Sequence, residues 1–309
     1  MRIIDLFDQG AAFNPENIAF KDATGQCSFA EAREQSHLIA LALYRRDFRT
    51  GTHIGVLVPN GNILFCVLLG IFRLGAVCIP INPRLMASRN ACFLGKFDCQ
   101  LLFYHSLYKR TAQKIAKRKS SATSIVCIDE RSNFGESLPT WMHHAEPYFP
   151  PVEYSCSDTF MVLPAGGSTG PVTGLALSHR SIASFFTRLN VPINNYNNCR
   201  HLVIAPMSHW TGIMACLYFP CGGTNIIPTN VDPGGILRAI AGHGITHLFA
   251  PSTLLHMMLS HPYVELHDYS SLEHFIVGAP PVSVENLQRA VEIFGPVVTE
   301  SDFGMDEQV

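Results

Sequence analysis

The residues best suited to chemistry lie in one stretch, Thr159-Phe-Met-Val-Leu-Pro-Ala-Gly-Gly-Ser-Thr-Gly-Pro-Val-Thr-Gly-Leu-Ala-Leu-Ser-His179. Two apolar runs flank a segment of glycines and hydroxyls from Gly166 to Gly174. Glycine lets backbone amides come close to an anion, and Ser168 and Thr169 add hydroxyl donors, so a strand, loop and strand of this kind can wrap a phosphate. No Gly-Lys-Ser/Thr follows at Walker spacing. A plain hairpin accounts for the same residues, and on residue chemistry alone it is the commoner outcome.

Other constellations carry less. Ser178 and His179 cannot share a catalytic triad if both lie on a strand, because neighbouring residues there face opposite ways. His243 and His247 could chelate a metal only on one helix, and Gly244, Ile245 and Thr246 break a helix at that point. The run Lys109 to Lys119 holds six basic residues and no acid. Without interleaved aromatics it reads as a solvated helix face rather than a nucleic-acid patch.

The elements that must position these residues are strands alternating with helices. Runs such as Ile18 to Phe20, His53 to Val58, Ala76 to Ile81, Cys99 to Tyr104, Ser124 to Ile128, Phe160 to Leu163, Leu202 to Ile204, Asn225 to Ile227, Thr246 to Phe249 and Phe275 to Val277 read as buried strands. Helical patterns run over Phe29 to Phe48, Ile63 to Leu74, Arg84 to Phe97, Ile236 to Ala241, Thr253 to Ser260 and Val284 to Phe294. This alternation predicts an α/β fold: two subdomains with mainly parallel sheets covered by helices on both faces. The Pro-rich stretch from Arg131 to Asp158 sets the expected boundary, giving subdomains 1–153 and 154–309.

Composition bounds the function. The chain has 309 residues, 47% hydrophobic, with 22 basic against 24 acidic side chains, enough to bury a large core and too balanced to gather nucleic acid. A small molecule is the expected partner. Ten scattered cysteines with no C-x-x-C pair, and acidic Asp5 and Asp8 near the start, predict free thiols in the cytoplasm and no signal peptide. The apolar run Ile63 to Ile81 is broken by Gly70, Gly75 and Pro80 into a helix and a strand, so no transmembrane segment is expected.

The loop resembles the phosphate-loop signature of the adenylate-forming (AMP-binding) superfamily, Ser/Thr-Gly-Gly/Thr-Ser/Thr-Thr-Gly-x-Pro-Lys-Gly followed by Ser/Thr-His. Gly166, Gly167, Ser168, Thr169, Gly170, Gly174, Ser178 and His179 match it. Four more segments agree in order. Leu57-Val-Pro-Asn-Gly with Phe72 to Leu85 looks like the packing framework at the front of acyl-CoA synthetases, with Asn82 and Arg84 at a turn. Ala205-Pro-Met-Ser-His-Trp-Thr-Gly212 is similar to the family's Pro-x-x-His-x-x-Gly segment, which makes His209, Trp210 and Gly212 candidates for the acid pocket. On its own His209 reads as a capping or core histidine. Gly278-Ala279-Pro280-Pro-Val282 resembles the turn whose backbone borders the adenine, although a strand-to-helix turn capped by Ser283 fits the residues equally well. Phe303-Gly304-Met-Asp306-Glu307 resembles Tyr-Gly-x-Thr-Glu, in which the ring lies on the adenine and the glutamate binds magnesium.

The resemblance implies ATP, Mg2+ and coenzyme A as cofactors and an apolar (fatty or aryl) carboxylic acid as substrate, activated to acyl-AMP and then acyl-CoA, with His209 and Glu307 as catalytic residues. Two departures fall at phosphate contacts. Thr173 stands where the family has lysine, and Asp306 stands where it has threonine. The family's barrel-like subdomain and C-terminal lid are also expected to be missing after Val309, leaving a truncated and impaired ligase that self-associates. The alternative is a degenerate, non-catalytic relative that binds a ligand or a protein.

Overall fold

Glycines and prolines cut the chain into short elements, and short apolar runs between them become the buried strands. A computed structural model describes residues 1–118, 123–129, 133–143, 152–165, 173–189, 198–206, 210–278 and 281–301. In chain order these form α1 (Ile3–Phe13), β1 (Ile18–Asp22), β2 (Gly25–Ser28), α2 (Phe29–Arg45), β3 (His53–Leu57), α3 (Asn62–Leu74), β4 (Val77–Pro80), α4 (Ala87–Lys96), β5 (Leu101–Tyr104), α5 (Lys109–Ala116), β6 (Ser124–Cys127), β7 (Glu136–Ser137) and α6 (Leu138–Met142). There follow β8 (Thr159–Ala165), β9 (Thr173–Ser178), α7 (His179–Leu189), β10 (Arg200–Leu202), a 3-10 helix (Trp210–Tyr218), β11 (Thr224–Ile226), α8 (Pro233–His243), β12 (His247–Pro251), α9 (Ser252–Leu259), β13 (His274–Gly278), α10 (Val284–Phe294) and β14 (Val298–Ser301).

The strands build two seven-stranded sheets, ordered β7-β6-β5-β3-β4-β8-β9 and β14-β13-β12-β10-β11-β1-β2. Pairing is parallel throughout except for one antiparallel hairpin at an edge of each sheet, β8 with β9 and β1 with β2. The α/β reading with mainly parallel sheets therefore holds. A division at 153/154 does not follow the sheets. The chain clusters into Met1–Asp5 with Ala30–Phe185, and Leu6–Phe29 with Phe186–Val309. β1 pairs with β11 of the second sheet, and β8 pairs with β4 of the first. Proline content marks where the chain turns; sheet membership depends on strand pairing distant in sequence, which composition does not encode.

Local causes are visible in α3. Its residues Leu64 to Leu74 are all buried, and it stops at Gly75, whose φ of 75° is left-handed and whose N–H reaches Ile71 O and Phe72 O. The apolar run that imitates a membrane span is thus a buried helix, a turn and strand β4. No helix among the described residues is long and apolar enough to cross a membrane. The first part of the basic run forms α5, Lys109–Ala116, with only Ala112 and Ile115 buried, so the charges of Lys109, Arg110 and Lys114 lie on a solvated face; Lys119 lies outside the described residues. α8 ends at Gly244, φ 58°, which separates His243 on the helix from His247 on β12.

Each face of the second sheet has its own chemistry. Leu202, Leu248, Ala250, Phe275 and Val277 point into an aliphatic core shared with α8, α9 and α10. Because side chains alternate, the intervening residues face the other way. There His201 pairs in register with His247, and His247 with His274, so three histidines stand in a row across β10, β12 and β13.

Candidate functional site

In the first unit, β8 and β9 pair from Thr159↔Ser178 to Ala165↔Thr173, so residues 166–172 are the connection at the hairpin tip. Phe160, Met161, Val162 and Leu163 are buried and anchor β8, while β9 is the edge strand. The end of the hairpin is fixed by reciprocal bonds. Ser181 N–H donates to Ser178 Oγ at 3.1 Å, and Ser178 N–H donates to Ser181 Oγ at 3.1 Å, a capping box that starts α7. His179 therefore opens a helix rather than closing a strand. Its ring lies on Phe160 at 5.2 Å and its Nδ1 accepts the Ile3 N–H at 3.3 Å. Burial, aided by the charge of Arg2, pushes its pKa down to about 4. It is a neutral anchor for the start of the chain.

Gly174 has a packing reason to be glycine. A Cβ there would sit 2.4 Å from the Phe97 ring and 2.8 Å from Val162. Phe97 is held edge-on by Phe93 at 4.9 Å, so it cannot swing away freely. Gly174→Ala is expected to cost about 1–3 kcal/mol by overpacking, read as a lower urea midpoint with an unchanged m-value. A variant as stable as the parent would show that Phe97 yields.

The tip sequence Gly166-Gly167-Ser168-Thr169-Gly170 also fits the bare Gly-x-Ser-x-Gly pattern of a hydrolase nucleophile elbow. That elbow joins a strand to a helix. Here the flanking elements are two antiparallel strands, which is the wrong context for it.

In the second unit the candidate segments leave one edge of the sheet. β10, β12, β13 and β14 run parallel, so their carboxyl ends lie together, with Pro251 paired to Gly278 and Gly278 to Ser301. The segment carrying His209 follows β10, the turn carrying Ala279 and Pro280 follows β13, and Phe303 comes two residues after β14. β10 has β11 on one side and β12 on the other, so the chain reverses direction across the sheet at this strand. Open α/β sheets bind ligands in the crevice at such a reversal.

The chain at Val282, entering α10, is tied down by a residue the sequence reading passed over. Glu300 Oε1 accepts the Val282 N–H at 2.7 Å, and Ser283 Oγ caps α10 by accepting the Asn286 N–H at 3.3 Å. The expected Ser283 cap is present. Glu300 offered no sequence signal beyond being an acid three residues before Phe303, because its partner is a backbone amide on a neighbouring connection.

The segments occur in the order of one known family, and a family description decides the matter: the model for AMP-binding enzymes matches residues 7–308. The chain belongs to the AMP-binding enzyme family. Among its relatives is a feruloyl-CoA synthase from Amycolatopsis, 24% identical over 284 residues, covering 91% of this chain and 55% of that protein. A long-chain-fatty-acid–CoA ligase from Escherichia coli is 22% identical over 343 residues, covering 99% of this chain and 60% of its own length. The chain thus spans little more than half the length of these AMP-binding relatives. The amide bond synthetase McbA from Marinactinospora thermotolerans shares the fold at TM-score 0.87 and 21% identity, over 100% of this chain and 60% of that one. The N-terminal domain of FACL13 from Mycobacterium tuberculosis does so at TM-score 0.84 and 20% identity, over 97% and 74%.

Of the AMP-binding candidates named from the sequence, Thr173 and Gly278 are described in full; Thr173 is exposed at the start of β9, and Gly278 is buried at the end of β13. Trp210 and Gly212 are placed by backbone alone, in the 3-10 helix. Gly166, Gly167, Ser168, Thr169, Gly170, His209, Ala279, Pro280, Phe303, Gly304, Asp306 and Glu307 lie outside the described residues.

The histidine row was also missed. His201 Nδ1 is 2.8 Å from Asn225 Oδ1, and Asn225 Nδ2 donates to Ala215 O at 3.3 Å. The amide oxygen therefore accepts, which leaves the proton on His201 Nδ1. The His201 ring stacks on Tyr218 at 4.4 Å, and burial pushes its pKa down to about 3. The signal was available as a repeated polar-His-apolar triplet at three strand starts: Arg-His201-Leu, Thr-His247-Leu and Glu-His274-Phe.

Proposed function

We propose that this chain is the nucleotide- and acid-binding portion of an ATP-dependent ligase that converts an apolar carboxylic acid, fatty or aryl, to an acyl adenylate and then to a coenzyme A thioester. The observation that carries the reading is the shared carboxyl edge of β10, β13 and β14, from which the His209, Ala279–Pro280 and Phe303–Glu307 segments depart. The β8–β9 hairpin supports it by ending at Ala165 and Thr173, on either side of the Gly/Ser/Thr run.

The donor set fits a nucleotide in kind. Glycine amides with Ser168 and Thr169 hydroxyls suit phosphate oxygens, Phe303 offers a stacking face, and Glu307 is a hard oxygen ligand for magnesium. ATP supplies the α-phosphorus that the acid attacks, and coenzyme A the thiol that receives the acyl group. His209, Trp210 and Gly212 would border the acid and orient its carboxylate, a contribution made by positioning and charge rather than by covalent chemistry. We place the protein in the cytoplasm, where its ten cysteines, none of them in a disulfide, are kept reduced. Small-molecule recognition and self-association complete the reading, with no nucleic-acid partner.

Thr173 favours a second reading, in which the chain binds a ligand or protein without catalysis. It stands exposed on the hairpin at the family's lysine position, so that cation is missing where triphosphate charge would collect. Exchange of labelled pyrophosphate into ATP over a panel of fatty and aryl acids separates the two. Acid-dependent exchange is expected, at a low rate, from this chain extended past Val309 with the C-terminal part of a full-length relative. Silence with every acid, while ATP still binds, overturns the ligase reading.

A further inference from the structure

A cleft of about 390 Å³ opens at the amino edge of the second sheet, where β1, β11 and β10 begin. Strand register fixes what lines it. Lys21 pairs with Gln26 across β1 and β2 and with Ile226 across β1 and β11, and Ile226 pairs with Leu202, so these four share one face. Arg200 and Thr224, paired with each other and two residues before Leu202 and Ile226, share it too. The aliphatic core on that face takes in Leu202 and Ile226 but, among the described residues, nothing from β1 or β2. The sheet thus extends past its helical cover, and Lys21 and Gln26 stay exposed on a ledge beside the end of α8.

The charges in this cleft do not cancel. Lys21 and Arg200 line it, and among the described residues no Asp or Glu does; neither cation has an ion-pair partner there. Arg200 Nη1 donates to His243 O at 3.0 Å and so covers the negative end of α8, where a Cβ on Gly244 would lie 3.2 Å from it. Asp22, next along β1, faces the other side and accepts from the N–H and hydroxyl of Thr24. Glu273, whose charge reaches Cys199, does not line the cleft. The His243 ring reports the balance: burial lowers its pKa, and the charges of Lys21 and Arg200 lower it further. Neutral donors are at hand as well. Gln26 and Asn198 line the cleft with side-chain amides that bond to no other protein group among the described residues, whereas the Thr224 hydroxyl is spent on Ile18 O at 2.7 Å.

We propose that this cleft is a binding site for a phosphate dianion, free or carried as the monoester of a small metabolite, held by Lys21 and Arg200 with amide N–H groups from Gln26 and Asn198. Two uncompensated cations match a divalent phosphate better than a singly charged carboxylate. The site lies at the edge of the sheet opposite the one from which the His209 and Ala279–Pro280 segments depart, and it is independent of whatever reaction the chain performs.

The test titrates the full chain calorimetrically with inorganic phosphate and, separately, with ribose 5-phosphate, at constant ionic strength. Binding in the millimolar range is expected. Tighter binding of ribose 5-phosphate assigns the site to a phosphorylated metabolite, and equal affinity assigns it to free phosphate. Lys21→Gln is the decisive variant, because this exposed side chain makes no hydrogen bond to protein whose loss could disturb the strand. It should weaken binding about fivefold, the scale of one exposed charge contact, while Lys21→Arg retains it. A second readout follows the His243 ring by NMR. Its pKa should rise in free Lys21→Gln, and phosphate should raise it in the parent. Phosphate that binds parent and Lys21→Gln equally sits elsewhere on the chain and overturns the proposal. Acetate binding as tightly as phosphate, or a His243 pKa that phosphate leaves unmoved, overturns it too.

Discussion

Acidification from pH 6.5 to 4.5 is expected to remove about 5 kcal/mol of folding stability, most of it through His201 and His179. Both rings are buried and neutral in the folded chain, with pKa values pushed down by burial to about 3 and about 4. His201 is depressed further by His247, and His179 by Arg2, with Asp158 and Asp5 opposing. In the unfolded chain each returns to about 6.5. The unfolded state therefore binds more protons throughout this window, and stability falls as pH falls. The contribution is complete above about pH 6.5 and shrinks by about 1.4 kcal/mol per unit for each ring until the folded pKa is reached. His201→Asn places an amide N–H near the position of Nδ1, so the bond to Asn225 can persist while the titrating ring and its stacking on Tyr218 are lost. Urea unfolding should show this variant less stable than the parent at pH 7, with the gap closing toward pH 4.5. A gap that is constant with pH would mean that His201 takes up protons equally in the folded and unfolded chains, so that burial does not hold it neutral.

That row of histidines illustrates what was legible in the sequence. Strand β13 and helix α10 were readable because their patterns are local: Phe275 to Val277 is continuously apolar, and Ser283 announces the helix it caps. The chemistry of a sheet face is not local. His201, His247 and His274 are far apart in sequence and become neighbours only when β10, β12 and β13 align in register. The two edge hairpins differ in this respect. β2 is partly polar, as an edge strand tolerates, so it lacked the apolar signature used to find strands, whereas β9 was readable as the apolar run after the glycines. α7 was missed because its first turn, His179 to Ser181, looks like the end of the strand before it. The site motifs were legible as patterns of residue type, yet Glu300 was invisible because its role is to accept a backbone N–H from another connection.

The capping box at Ser178 and Ser181 and the Phe97 contact at Gly174 sharpen what the hairpin residues do. Three of the eight residues that match the phosphate signature have roles in folding: Gly174 gives Phe97 room, Ser178 starts α7, and His179 holds the backbone of Ile3. The tip, Gly166 to Gly170, lies outside the described residues, and the ligand contacts proposed for the hairpin rest on its residue types together with Thr173.

Restoring a cation and removing an anion at the two divergent positions is therefore the substitution pair with the largest expected gain in function. Under the proposed reading, Thr173→Lys and Asp306→Thr should each strengthen Mg-ATP binding by about tenfold, near 1.4 kcal/mol apiece for one charge-assisted contact made or one like-charge repulsion relieved. If the two positions act independently, the double variant gains on the order of a hundredfold. Calorimetric titration with Mg-ATP reads the affinities, and raising the salt concentration should erode the Thr173→Lys gain, because Thr173 is exposed at the start of β9. Thr173→Leu serves as the control: it changes the same hairpin position without adding charge and should gain nothing. An equal gain from leucine would assign the effect to strand β9 rather than to phosphate. If neither single variant nor the double binds Mg-ATP more tightly than the parent, positions 173 and 306 face no nucleotide, and the non-catalytic reading stands in place of the ligase.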